Sequence, residues 1–205
     1  MAGGPVVGDP AVPRSPARRR DAVRNYHRIL EAARDVLGES GADAGMEEIA
    51  ARAGVGVGTV YRHFASKDAL IDELLRLALE EILSSTDRAL ARTDGSGLEE
   101  FLRALGRSFA DHARYANLFI QRRTEDATVY RILAAIDELT ARAIAADTVS
   151  PGTTPGDVLA LVWGMRGLVQ AAGEGAPTEA APGVWQRFLD IHLAGLRAAG
   201  PGGPG

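Results

Sequence analysis

The sequence predicts an all-α protein, with an N-terminal three-helix unit followed by a larger helical domain, about nine helices in all. Three observations carry this. Apolar residues recur at helical rather than strand spacing through the interior of the chain. Alanine is frequent, aromatics make up only 5% of residues and stretches rich in β-branched side chains are few, whereas strands favour β-branched and aromatic residues. Glycine and proline cluster between the periodic segments, as at Gly41, Gly54, Gly95, Gly97 and Pro151.

Residues 1–17 hold four prolines and three glycines and are expected to be a disordered tail, as are residues 200–205. A first helix is expected over 20–39, with Ile29, Leu30, Ala33, Val36 and Leu37 on one stripe and Gly41 as its stop. A short second helix covers 46–53 and ends at Gly54. A third covers 57–64 after a tight turn. Ser66 can cap a long fourth helix, with Asp68 in its first turn favourable to the dipole. Its apolar positions, including Leu70, Leu74, Ala78 and Ile82, are too many for one contact, so it should touch two neighbours.

The run from Thr93 to Gly97 breaks the chain, and Ser96 with Glu99 fits a capping box for a fifth helix carrying Leu98, Phe101, Leu102, Leu105 and Phe109. A short helix near 114–122 follows. A long one near 127–147 is lined by Val129, Ile132, Leu133, Ile136 and Leu139. Thr154, Pro155 and Asp157 open the next helix with a hydroxyl cap, a proline at the first position and an acid at the third. Residues 173–182 read as a loop, and 184–199 as the last helix. No internal repeat stands out. The division expected is a tail (1–17), an N-terminal domain (18–67), a second domain (68–199) and a tail (200–205).

Composition narrows the function classes. Over 205 residues, 46% are hydrophobic and 24% charged, and there is no cysteine. Disulfides, thiolate metal sites and cysteine nucleophiles are thereby excluded. No apolar run approaches the roughly 18 residues of a membrane span and no signal-peptide apolar region opens the chain, so a cytoplasmic location is expected. The net charge is −4, unevenly spread: residues 1–67 carry ten Lys and Arg against eight acids, the remainder 13 against 19. A basic start on an acidic protein fits a polyanionic partner and equally a solvated tail.

The informative stretch is MEEIAARAGVGVGTVYRHFASK, residues 46–67. Two short helices meeting at a glycine-containing turn form a helix-turn-helix. Ala50 sits where one helix must approach the other, Gly54 turns the chain, and Ile49, Val55 and Val60 are spaced to fill the core beneath. Gly58 and Thr59 open the second helix with side chains small enough for backbone to approach a groove floor. Tyr61, Arg62 and His63 supply a polar, partly cationic face. Any short helical hairpin shares the Ala and Gly spacing; the following YRHFASK and long amphipathic helix make the pattern more specific.

Residues 24–75, above all EIAARAGVGVGTVYRHFASKDAL at 48–70, resemble the N-terminal domain of TetR-family transcriptional regulators. The resemblance covers about a quarter of the chain. It implies a homodimer that binds a palindromic operator on double-stranded DNA, usually as a repressor released by a small molecule, with no cofactor and no enzyme activity. By that resemblance Val57, Gly58 and Thr59 start the recognition helix, and Tyr61, Arg62 and His63 face the DNA, with Tyr61 and His63 on its backbone. Lys67 matches a phosphate-contacting lysine, helped by the helix dipole. Arg52 matches a position that can face the groove. Arg18, Arg19 and Arg20 resemble arms that some members lay in the minor groove, and equally a solubilising tail. Gly45 departs from the Thr or Ser that often caps the second helix in the family, removing one expected phosphate contact.

The rival class is a helical enzyme or an interaction module without DNA binding. The histidines at 27, 63, 112 and 192 lie too far apart for a paired metal motif, and no Glu-x-x-His sequence occurs. Adjacent acids such as Glu47 and Glu48 do not face each other on a helix. No catalytic constellation emerges. In the second domain, Gly164, Gly167 and Ala171 form a small-residue stripe, and the last helix is apolar on more than one side. With Trp185, Phe188, Leu189, His192 and Leu196 they are the expected dimer interface, where the family pairs two helices from each subunit. Phe109, His112, Phe119, Trp163, Arg166 and Gln170 are the expected lining of a pocket for a mostly apolar effector.

Overall fold

Helical periodicity with glycine and proline punctuation gives helices joined by short turns among the described residues. The computed structural model describes residues 16–115, 127–173 and 183–198. Among these, eight α-helices and no strand occur: α1 (Pro16–Ser40), α2 (Met46–Ala53), α3 (Val57–His63), α4 (Lys67–Leu90), α5 (Gly97–His112), α6 (Ala127–Ala145), α7 (Pro155–Gly173) and α8 (Val184–Ala198). The expected helix near 114–122 lies mostly outside the described residues. Its described start, Ala113–Tyr115, is a 3-10 turn. Both expected tails also lie outside them, except that α1 begins at Pro16, four residues before the expected start. Proline suits a first turn because its missing N–H has no helical acceptor there.

Two glycines end helices as their sequence positions require. Gly41 after α1 has φ +56° and Gly54 after α2 has φ +63°, a region that glycine enters without Cβ strain. At Gly54 a Cβ would also stand 2.6 Å from an Arg28 Nη2. Start signals divide. Ser66 Oγ accepts from Ala69 N at 3.1 Å and caps α4. Thr154 Oγ1 accepts from Asp157 N (3.2 Å) while Asp157 accepts from Thr154 N (2.8 Å), a reciprocal box opening α7. The box expected at Ser96 and Glu99 does not form: Ser96 makes no side-chain cap. Its N–H and hydroxyl donate to Asp94 Oδ1 instead (3.2 and 2.6 Å), and Glu99 is held by Arg103 and Arg197.

The helices bury two cores. One gathers Ile29, Ala33, Val36, Leu37, Ile49, Ala50, Val60 and Phe64, from α1 to α3, with Leu70, Ile71 and Leu74 of α4. The other joins α5, α6, α7 and α8 through Leu98, Phe101, Leu102, Ile136, Leu139, Met165 and Leu189, with Ala89 of α4. Helix α4 therefore enters both, which accounts for its broad apolar surface. It packs on α1 at one end and on α5 and α6 along the rest. The packing boundary thus falls inside α4, beyond residue 67. Leu133 of α6, expected in the core, is exposed, because the buried stripe runs through Ile136, Leu139 and Ala143.

Candidate nucleic-acid interface

The turn between α2 and α3 is built as its spacing suggests. Ile49 and Val60 are fully buried, Ala50 nearly so, and Val55 packs against them. Val55 N donates to Ala50 O at 3.0 Å, closing the turn over the small Ala50 side chain. This fixes the phase of α3. Val57, Gly58, Tyr61 and Arg62 face outward, with Tyr61 48% exposed, while Thr59 and His63 are half-buried. A Cβ at Gly58 would meet nothing among the described residues within 4 Å, so the outer start of α3 is open to them. Arg62 Nε donates back to Gly58 O at 3.2 Å, which lays its guanidinium along the helix.

Aromatic contacts hold the end of α3 to α1. The Tyr26 ring stacks on Phe64 with centroids 5.7 Å apart and sits 6.2 Å from the His63 ring. Tyr26 Oη donates to Glu73 on α4, and Glu73 is paired with Arg76 at 2.6 Å. The Arg76 hydrogen bond holds the Glu73 carboxyl below its ordinary pKa, and burial pushes the Tyr26 hydroxyl up. His63 is thus positioned by a fixed ring cluster.

Two cations expected at the DNA, Arg52 and Lys67, are engaged within the protein. Arg52 makes a two-pronged pair with Glu39 of α1, Nη2 to Oε2 at 2.7 Å and Nη1 to Oε1 at 3.1 Å. Lys67, the single lysine of the chain, donates to the carbonyls of Ala42 and Ala44 (3.1 Å for the latter). Its ammonium ties the start of α4 to the α1–α2 connection. Both contacts span many residues of sequence and carry no periodic signal. Arg18, Arg19 and Arg20 lie within α1, not in an extended arm, and Arg19 and Arg20 are exposed. Gly45 is the extended N-cap of α2 without a side-chain bond, and a Cβ there has room, its nearest neighbour being Glu47 Oε2 at 3.6 Å.

A cavity of about 270 Å³ lies behind this unit, between α4, α5, α6 and α7. Four residues of α4 (Leu75, Ala78, Leu79 and Ile82) form one wall. Phe109, His112, Arg166 and Gln170, all expected as lining, do line it. His112 Nδ1 lies 2.6 Å from Ser108 O, so that nitrogen carries the hydrogen. Two expectations differ. Phe119 lies outside the described residues. Trp163 is not in the lining; it is 63% exposed, and the Arg166 guanidinium sits 5.6 Å from its ring.

The expected interface helices turn part of their apolar surface inward. Leu189 is fully buried. Trp185 packs against α5, where a Cβ at Gly106 would lie 2.4 Å from its ring, and Phe188 abuts Gly164 so closely that a Cβ there would lie 2.7 Å away. Leu196 is half-buried against the same core. These four and Gly164 serve the protomer's own packing, because α8 is apolar on two sides and its sequence leaves open which side turns inward. On the surface remain Gly167, Ala171 and His192, joined by Trp163 and Ile191. The i, i+4, i+8 spacing of Trp163, Gly167 and Ala171 was the signal available for that stripe.

The helix-turn-helix matches the family model of bacterial regulatory proteins, tetR family, over residues 29–74. A TetR transcription regulatory protein from Mycobacterium vanbaalenii superimposes with a TM-score of 0.61 at 30% identity, covering 88% of this chain and 99% of that one. The chain belongs to the TetR family. TetR-family proteins are DNA-binding transcriptional regulators, not enzymes, and so is this chain. A second TetR-type regulator, SCO0520 from Streptomyces coelicolor, aligns at 26% identity and a TM-score of 0.61, over 84% of this chain and 98% of its own. Among curated proteins, the regulator UidR of Escherichia coli is 42% identical over 66 residues, and a Staphylococcus aureus regulator, SAR0097, 37% over 76. Those matches cover 32% and 36% of this chain but only 30% and 40% of the two relatives, so the likeness to them is confined to part of each protein. Among the described residues of this TetR-family chain no helix is long and apolar enough to cross a membrane, and no cluster of His, Cys, Asp and Glu could hold a metal ion.

Proposed function

We propose that the protein is a repressor that binds a palindromic operator as a homodimer and is released by a small molecule. The observation that carries this is the double role of α4. Its first turns pack Leu70, Ile71 and Leu74 under the helix-turn-helix, and its middle turns wall the cavity through Leu75, Ala78, Leu79 and Ile82. A ligand that shifts this wall moves the helix whose start carries Lys67. Differential affinity for the two positions of α4 is then the coupling between cavity and DNA.

In this reading residues 18–67 with the first turns of α4 form the DNA-binding domain, and the remainder to residue 199 the effector and dimerisation domain. Val57, Gly58, Thr59, Tyr61, Arg62 and His63 face the major groove. Arg19, Arg20, Arg52 and Lys67 supply positive charge around it. The outer stripe of α7 (Trp163, Gly167, Ala171) and the outer face of α8 (Ile191, His192) pair with a second copy. Two recognition helices must then meet successive major grooves, about 34–36 Å apart.

Footprinting and sedimentation with DNA from upstream of the protein's own gene test the reading. The expected result is a two-fold symmetric footprint holding two protomers, with a single half-site bound far more weakly. A protein that shows no preference among genomic fragments favours an interaction module instead.

A further inference from the structure

The described cavity lining is apolar apart from Ser108, His112, Arg166 and Gln170, and its charge is one-sided. No aspartate or glutamate is among its described lining residues, whereas Arg166 is. The Arg166 guanidinium has no carboxylate partner among the described residues and rests over the Trp163 ring instead. One turn on, the buried Gln170 Nε2 has no hydrogen-bond acceptor among the described residues. Buried donors are nearly always satisfied, and an orphan one commonly marks a missing partner. Arg166 and Gln170, four residues apart on α7, project on one face of that helix. The facing wall offers Leu79, Ile82 and Phe109, which can only shield hydrocarbon.

We propose that the effector is an amphipathic monocarboxylate, its carboxylate bound by Arg166 and the Gln170 amide and its hydrocarbon held against α4 and α5. This rests on the reading of the cavity as the effector site. A guanidinium and an amide N–H together match a carboxylate, which accepts two charge-assisted bonds. A neutral alcohol leaves the cation unneutralised, and an amine repels it.

Isothermal titration of the full chain with octanoate, octanol and octylamine tests the proposal. Octanoate is expected to bind at least about tenfold more tightly than either, in line with bonds to charged groups exceeding neutral ones. Arg166→Gln should abolish that preference while its thermal unfolding stays near wild type, and Arg166→Lys should keep part of it. Gln170→Leu should weaken octanoate and leave octanol unchanged or tighter. Trp163 emission should change on octanoate binding, as the guanidinium leaves its ring. Octanol or octylamine binding as tightly as octanoate, or octanoate binding that ignores Arg166→Gln, overturns the proposal. A thermal-shift screen of mixed small molecules separates the two levels of the claim. Hits confined to neutral or cationic compounds overturn the carboxylate alone and leave an effector cavity standing. A screen with no hits of any chemistry, octanoate included, overturns both.

Discussion

Arg52 of α2 and Glu39 of α1 form a two-pronged ion pair, with oxygen–nitrogen distances of 2.7 and 3.1 Å, at the edge of the helix-turn-helix. The Arg52 hydrogen bond holds the Glu39 carboxyl below its usual range. The pair is exposed, so water and salt screen it and it adds little to stability. Its consequence is for charge at the DNA. Glu39→Gln removes a negative charge and frees a cation. DNA affinity should rise at low salt and the slope of log K against log salt should steepen by up to about 0.9. Titrations at three salt concentrations read this, and an unchanged slope would take Arg52 away from the DNA.

Lys67 spends part of its donor capacity on the Ala42 and Ala44 carbonyls. Lys67→Met should therefore have two effects. Stability should fall by about 1 kcal/mol, since two carbonyls lose a charged donor but stay near water. Binding should weaken about equally on all sequences, because phosphates carry no base information. Denaturant unfolding and DNA titration separate the two. Weakened binding without loss of stability would mean that the carbonyl contacts are idle in solution.

Two glycines of α7, three residues apart, should respond oppositely. Gly164 abuts the Phe188 ring, so Gly164→Leu should overpack the protomer and cost roughly 1–3 kcal/mol of folding stability. A Cβ at Gly167 meets nothing among the described residues within 4 Å, so Gly167→Trp should leave the protomer folded and reduce dimerisation. Thermal unfolding with sedimentation velocity checks both. A Gly167→Trp protein that remains dimeric and binds operator normally removes this stripe from the interface.

Glu73 ties pH to stability. Its folded pKa lies below the ordinary 4.5, chiefly through Arg76. The stabilisation is present above the unfolded value and is lost as pH falls through the folded one. Unfolding measured from pH 7 to pH 3 should show a steeper loss below about pH 4.5 in wild type than in Glu73→Gln. Parallel curves for the two proteins would contradict the Tyr26–Glu73–Arg76 arrangement.

Where function sits on short-range pattern, the sequence was enough to read it. Ile49, Ala50, Gly54 and Val60 lie within a dozen residues, and their spacing specifies both the turn and the buried face of α3. Of the six residues expected at a pocket, Phe109, His112, Arg166 and Gln170 line the cavity. Contacts between distant segments were not legible. Nothing near Arg52 in sequence points to Glu39, and nothing near Lys67 points to the Ala42 and Ala44 carbonyls. The inward face of α8 was not legible for a different reason. Helix α8 is apolar on two sides, so periodicity alone cannot tell Leu189, which is buried, from Ile191, which is exposed. Trp163 was misplaced because an aromatic side chain fits a cavity and a surface stripe equally well.

In the proposed reading, α3 reads base sequence through Thr59 while Tyr61 on the same helix holds the backbone. Selection of bound sequences from a randomised duplex library, with wild type, Thr59→Ala and Tyr61→Phe, tests this most directly. Wild type should return a two-fold symmetric motif. Thr59→Ala should alter the preferred bases at symmetric positions, by about 1–3 kcal/mol for a lost base contact. Tyr61→Phe should return the wild-type motif at lower affinity. A motif unchanged by Thr59→Ala, or none from the wild-type protein, would contradict the account.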